Sequence, residues 1–256
     1  TEEPCEQVGM AWANTNSTCY ADEEARCKGL YDDSLWKETY CGYSNTSGKT
    51  IDENMKCIAS GYSSCNNSII NNAGECRDDN DGIWYGCRYS TINAGGKCVA
   101  KSNSGCHSVY INGGECTGLS NGCSYSTITE GGVCSATSNV SGNPRGCHGV
   151  TIYKGGICSG DCRESIVYDG GICSGLCWGA KVYEGGVCSG NCAGAEVSDG
   201  GVCSGTCGSA KINDGGICKS SATNACKNNT YTGTGCCCGD YCGSKPKCAD
   251  EVCANI

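Results

Sequence analysis

The residues with the most obvious chemistry are the cysteines, which number 30 in a chain of 256. Sulfur at this density has two common uses, since thiolates bind metal ions and thiols oxidise to disulfides. Four C-x3-C pairs follow one another, at Cys158/Cys162, Cys173/Cys177, Cys188/Cys192 and Cys203/Cys207. Structural zinc sites favour C-x2-C spacing or mixed Cys/His ligands, and the chain has only two histidines. We therefore favour structural disulfides, with a metal-thiolate protein as the weaker alternative.

A second chemical candidate is a column of acidic residues, each directly before a Gly-Gly pair. The residues are Asp169, Glu184, Asp199 and Asp214. Stacked carboxylates can bind calcium, which prefers several oxygen ligands. The same residue types also suit the position before a glycine turn, and we favour that structural explanation. No Ser/His/Asp or Cys/His arrangement with a motif context points to catalysis, so we expect no enzymatic activity and no cofactor.

These residues recur because the chain is built from repeats. Between Cys147 and Cys218 each unit follows C-x4-[IV]-x2-G-G-x-C, and closing cysteines recur every 15 residues. A fixed short period is the signature of a repeat architecture. Counting six residues back from each closing cysteine gives a branched or aromatic residue in eleven units: Ile51, Ile70, Ile92, Tyr110, Ile128, Ile152, Val167, Val182, Val197, Ile212 and Tyr231.

The two positions before this branched column complete a strand pattern. Eight residues before the closing cysteine the residue is small, as at Ser165 and Ala180, and seven before it is mostly polar. A small residue, then a polar one, then a branched one is the alternation expected of a strand with one buried face. If units stack in register, Lys181, Glu196 and Lys211 lie about 4.8 Å apart with alternating charge.

Two architectures fit this pattern. In a β-solenoid each unit is one coil, whereas in a string of hairpins Asp214-Gly215 forms a two-residue turn that pairs Ile212 with Ile217. We favour an all-β, disulfide-stapled β-solenoid of about eleven short coils with small irregular caps. The predicted divisions are a disulfide-linked, partly helical cap at 1–48, the solenoid at 49–237 and a Cys-rich cap at 238–256. The predicted N-terminal helices begin after Thr18 and after Asp33.

The repeat motif resembles those of known surface proteins. Units such as AKVYEGG, of the form T/A-x-V-x-x-G-G, are similar to β-solenoid passenger repeats of bacterial autotransporter adhesins. The cysteine-dense version, with its CCCGDYC tail, resembles repeat regions of cysteine-rich, pilin-like bacterial surface proteins. The resemblance covers roughly residues 57–242. It implies surface exposure and adhesion or filament building, without catalysis.

Composition independently points outside the cytosol. Phe is absent and Leu, Ile and Val are few, so apolar burial alone is a weak source of stability. Disulfides can replace it, and they persist only in oxidising compartments. We therefore expect an extracellular or cell-surface protein. No signal-peptide pattern or long apolar run is visible, which predicts a mature form without a membrane span. The net charge of −9 argues against nucleic acid as a partner.

Two outward columns of the late units could form a partner surface. One consists of tyrosines directly after the branched residues, and the other of apolar residues directly before the closing cysteines. The candidates are Tyr153, Tyr168, Tyr183, Ile157, Ile172, Val187, Val202 and Ile217. Early units carry charges such as Glu75 and Lys97 at the second position, so we expect it to face solvent. Burial in the interior or beneath the C-terminal cap is the alternative.

We therefore predict a structural or adhesive protein, a self-associating or filament-type subunit that binds copies of itself or other surface proteins. Contiguous apolar surface beside tyrosines is typical of a partner site. The alternative is a ligand-binding solenoid for carbohydrate or ice. A regular threonine face would suit ice, and Thr91, Thr127 and Thr151 share a column, but Lys and Glu replace them in later units.

Overall fold

The computed structural model describes residues 11–12, 19–20, 48, 50–52, 56–59, 65–78, 86–100, 105–118, 121–135, 146–219, 225–239 and 242–256. Near the N-terminus, β1 (Ala11–Trp12) and β2 (Cys19–Tyr20) pair in antiparallel orientation. The helix predicted to begin after Thr18 is therefore wrong at its first two residues. The rest of the two predicted N-terminal helices lies outside the described residues.

The other described strands form two parallel sheets of eleven strands each. The first, here the branched sheet, contains β3 (Thr50–Ile51), β5 (Ile69–Ile70), β7 (Thr91–Asn93), β9 (Tyr110–Asn112), β11 (Thr127–Thr129), β13 (Thr151–Ile152), β15 (Ile166–Val167), β17 (Lys181–Val182), β19 (Glu196–Val197), β21 (Lys211–Ile212) and β23 (Thr230–Tyr231). The second, here the cysteine sheet, contains β4 (Lys56–Ala59), β6 (Glu75–Asp78), β8 (Lys97–Ala100), β10 (Glu115–Gly118), β12 (Val133–Cys134), β14 (Ile157–Cys158), β16 (Ile172–Cys173), β18 (Val187–Cys188), β20 (Val202–Cys203), β22 (Ile217–Lys219) and β24 (Cys236–Cys238).

Each strand pairs with the equivalent strand of the next unit, so every unit is one coil of a β-solenoid. Lys181, Glu196 and Lys211 are direct register partners, as predicted, and so are successive closing cysteines. Ile212 and Ile217 lie in different sheets, so the hairpin alternative is wrong. Eleven coils at about 4.8 Å per coil give a stack about 50 Å long.

The interior consists of the small and branched columns that the repeat predicts, together with the cysteines. The fully buried residues include Ser165, Val167 and Cys173 of one coil and their equivalents in the neighbouring coils. The prediction is wrong at Tyr110, which is exposed, because Ile111 occupies the buried position and pairs with Ile128. In this coil the turn between Ile111 and Cys116 is one residue shorter, so counting six residues back selects its outward neighbour.

Two of the three corners of each late coil require glycine. At the Gly-Gly corner, Gly170 has φ +68°, a conformation that favours glycine. At the Ser-Gly corner, a Cβ on Gly175 would lie only 2.0 Å from the carbonyl oxygen of Gly160 in the preceding coil. The backbones therefore approach too closely there for any side chain. Short parallel bridges through Asp161, Leu176, Asn191 and Thr206 form the third side of the coil.

Within the part of the chain that the structure describes, ten disulfides connect the closing cysteine of one coil to the opening cysteine of the next. The pairs are Cys57–Cys65, Cys76–Cys87, Cys98–Cys106, Cys116–Cys123, Cys134–Cys147, Cys158–Cys162, Cys173–Cys177, Cys188–Cys192, Cys203–Cys207 and Cys218–Cys226. All twenty cysteines are buried, so the bridges also fill the core. A cross-link over so short a loop contributes about 2 to 3 kcal/mol in the chain-entropy description.

The C-terminal segment closes one end of the cysteine sheet. Three disulfides attach it to β24: Cys236–Cys248, Cys237–Cys242 and Cys238–Cys253. The backbone N–H of Cys237 donates to Pro246, and that of Cys248 donates to Cys237. These bonds occupy polar groups that an edge strand would otherwise expose. The short helix α1 (Asp250–Ala254) follows.

Candidate functional site

The predicted tyrosine column forms a stack on the outer face of the branched sheet. Tyr153, Tyr168 and Tyr183 directly follow β13, β15 and β17. Their ring centroids are 5.1 Å and 5.4 Å apart, with interplanar angles of 10° and 17°. In-register pairing imposes this stacking, because equivalent residues of adjacent coils are one strand spacing apart.

The predicted apolar stripe lies on the outer face of the cysteine sheet and is shorter than expected. Ile172 is 38% exposed, and Ile157 and Val187 are half-buried. Val202 and Ile217 are buried, contrary to the expectation that the whole stripe faces solvent. They pack in a cluster with Cys238 of β24 and with Cys248, Val252 and Cys253 of the C-terminal segment. The exposed stripe is therefore Ile157, Ile172 and Val187, and the cap covers the remainder.

The tyrosine stack and the exposed stripe flank one edge of the solenoid. Within a coil, Tyr168 and Ile172 are separated only by Asp169 and the Gly-Gly pair that forms the corner. The acidic column thus lies between the two candidate partner columns. The repeat places all three along a single edge, which we call the Gly-Gly edge.

The four acidic residues of this edge, Asp169, Glu184, Asp199 and Asp214, are all exposed. The Asp214 carboxylate accepts hydrogen bonds from the backbone N–H of Thr234, at 2.9 Å, and from its hydroxyl. These bonds, the hydroxyl bond first, lower the pKa of Asp214 below its ordinary value. At this corner the carboxylate therefore stabilises the turn of the next coil. Calcium binding by the column stays a prediction.

The sulfur clusters that resemble metal sites arise from stacked disulfides. Sulfur atoms of Cys173, Cys177 and Cys188 lie within 4.8 Å of one another, but each belongs to a disulfide bond. A thiolate ligand would require reduction of these bonds. The threonine column proposed for ice binding is also less regular than expected, since Tyr110 lies in register between Thr91 and Thr127.

Sequence reasoning missed an asparagine ladder on the branched sheet. Asn71 donates its side-chain amide to Asp52 at 2.7 Å, and Asn93 donates to Asn71 at 2.7 Å. Asn112 continues the ladder at 3.5 Å. These residues occupy the column that becomes tyrosine at Tyr153, so the same outward position is hydrogen-bonded in early coils and aromatic in later ones.

Sequence reasoning also missed a second edge of the solenoid. It is formed by the residues one and two positions after each opening cysteine, and we call it the cysteine edge. The second position has positive φ in every described coil, including non-glycine residues such as Tyr89, Tyr125 and Glu164. Tyr125 contacts both histidines, with centroid distances of 5.2 Å to His107 and 5.6 Å to His148. Burial and nearby Arg88 lower the pKa of His107. The residue types at this edge vary from coil to coil, so no column of similar residues marks it in the sequence. The fixed distance of these positions from the opening cysteine is the signal that could have identified the edge.

Comparison with known proteins assigns no family to this chain. No protein-family model matches the chain, and no curated protein matches it in sequence. Among solved structures, the chain is similar to a TibA fragment whose hyper-glycosylation is catalysed by TibC. The identity is 20%, the TM-score is 0.35, and 79% of this chain and 85% of the fragment are covered. A TM-score this low supports no inference about function, and the β-solenoid assignment rests on the strand pairing. No helix among the described residues has the length and apolar character needed to cross a membrane.

Proposed function

We propose that this protein is an extracellular structural or adhesive solenoid that self-associates along its Gly-Gly edge. The observation that carries the proposal is the outward stripe of Ile157, Ile172 and Val187 beside the tyrosine stack. Parallel sheets are normally covered on both faces, and this outer face is open at the three residues. The role requires no catalytic step.

The C-terminal segment supports the idea that this column favours a covered state. It already packs over Val202 and Ile217, which continue the same column, and three disulfides hold it there. A second copy of the chain would extend that cover toward Ile157. Because each copy carries a net charge of −9, long-range repulsion opposes the contact and salt should strengthen it.

The test is a double substitution, Ile172→Lys with Val187→Lys, measured by light scattering over a range of protein concentrations. We expect the association constant to fall by roughly tenfold or more, because two cations would be desolvated in the contact. The matched control is Ser174→Lys with Ser189→Lys, which adds the same charge at exposed positions of the same coils.

The control should associate like the natural chain. Equal association of the Ile172/Val187 variant and the natural chain would contradict the proposal. A natural chain that stays monomeric at high concentration and high salt would do so as well.

A further inference from the structure

The cysteine edge carries exposed aromatic side chains that the proposed self-association does not use. Tyr125 is 58% exposed and Trp178 is 53% exposed. They belong to coils three steps apart, which places them about 14 Å apart along the solenoid axis. The edge between them carries Arg163 and Glu164 at the surface and His148 as a buried residue.

Both aromatic rings lie next to a glycine of the next coil. A Cβ on Gly149 would lie 3.0 Å from two ring carbons of Tyr125, and one on Gly194 would lie 3.5 Å from the indole nitrogen of Trp178. The rings therefore occupy space that a side chain would fill. Tyr125 also contacts the rings of His107 and His148 in the neighbouring coils, yet more than half of the accessible surface of Tyr125 and of Trp178 remains open to solvent.

The polar groups between the rings are fixed in place. Arg163 donates two hydrogen bonds to the buried carboxylate of Asp161, at 2.8 Å and 2.7 Å. His148 is only 5% exposed, and its Nε2 lies 3.1 Å from Glu164 Oε2. That contact has the distance of an ion pair but lacks the geometry of a directed hydrogen bond, so the buried nitrogen has no directed partner. The Glu164 side chain is 59% exposed and can accept from a ligand.

We propose that the cysteine edge between Tyr125 and Trp178 is a binding site for a neutral oligosaccharide. A pyranose ring has a face of C–H groups, which pack on the electron-rich face of an aromatic ring. Its hydroxyl rim can donate hydrogen bonds to the exposed carboxylate of Glu164. Asp161 neutralises Arg163 and the chain is acidic overall, so the chemistry favours an uncharged glycan over a polyanion.

The test is calorimetric titration of the full chain with three neutral hexasaccharides: cellohexaose, chitohexaose and laminarihexaose. We expect saturable binding of at least one of them. Trp178→Ala and Tyr125→Ala should each weaken that binding about tenfold or more, since each removes a stacking platform. Glu164→Gln keeps the shape of the side chain and should weaken binding less than the aromatic substitutions do. This variant still tests the proposal if an aromatic variant fails to fold.

The matched control is Tyr153→Ala, which removes an exposed tyrosine from the Gly-Gly edge. It should bind the hexasaccharide like the natural chain, and so should the Ile172/Val187 double variant that tests self-association. If none of the three hexasaccharides binds saturably, the proposal is overturned. An equal loss in the Tyr153 variant would also overturn it, because the binding would then not be specific to the cysteine edge.

Discussion

At the scale of single residues, the fold depends on glycines where successive coils approach each other. The Ser-Gly corner repeats this requirement at Gly175, Gly190 and Gly205, where a Cβ would lie within about 2 Å of a backbone oxygen. Such an overlap cannot be relieved by rotating a side chain, because both atoms belong to the backbone framework. The repeated Cys-Ser-Gly sequence is thus a packing requirement of the stack.

Replacing Gly175 with Ala should therefore destabilise the protein by about 3 kcal/mol. The matched control is Gly208→Ala, where the nearest atom to the new Cβ is 3.8 Å away and φ is not positive. That change should leave stability unchanged or slightly higher, because alanine restricts the unfolded chain. Thermal unfolding with the disulfides intact measures the stability of both variants. Similar unfolding midpoints for the two would contradict the steric argument.

The hydrogen bonds at Asp214 predict a pH dependence. Because the folded pKa lies below the unfolded value, the stabilisation is present above the unfolded pKa and is lost as the pH falls through the folded pKa. Thr234→Val removes the hydroxyl donor and should raise the pKa of Asp214 toward its ordinary value. Carboxyl NMR titration measures this. Thr232→Val, whose hydroxyl bonds to Asn213, is the control and should leave the pKa of Asp214 unchanged.

At the scale of elements, the disulfides supplement the pairing of individually short strands. Most strands of the late coils are two residues long, too short for stable pairing without support. Each bridge fixes the corner that connects one coil to the next. The corners differ in length, with separations of 4 residues at Cys173–Cys177, 7 at Cys116–Cys123 and 13 at Cys134–Cys147.

This series predicts graded costs when a bridge is replaced by two alanines. In the chain-entropy description, removing Cys173–Cys177 costs about 2 kcal/mol and removing Cys134–Cys147 about 3 kcal/mol, with Cys116–Cys123 between them. All six cysteines are fully buried, so the packing loss is similar in each variant. Hydrogen exchange of the adjacent coil measures the opening free energy. A cost that is equal or larger for the shortest loop would contradict the entropic explanation.

At the scale of the whole molecule, the period of the sequence is enough to predict the coil stack, because the inward columns are buried in nearly every described coil. Prediction is wrong where a coil departs from the period, as at Tyr110, where a corner is one residue shorter. The prediction that Val202 faces solvent is also wrong, because the non-repeating C-terminal segment covers this side chain. The cysteine edge was missed because its residue types change from coil to coil, so no column of similar residues marks it.

The placement of the disulfides also determines how force and proteolysis act on the molecule. Because Cys134 and Cys147 are bonded to each other, the covalent path along the rod passes through sulfur and bypasses the residues between them. A single peptide cleavage in that insertion would leave the two halves covalently joined. Tension applied at the ends would likewise not draw out the insertion. The corners can therefore vary in length or be cut by proteases while the rod keeps its tensile continuity.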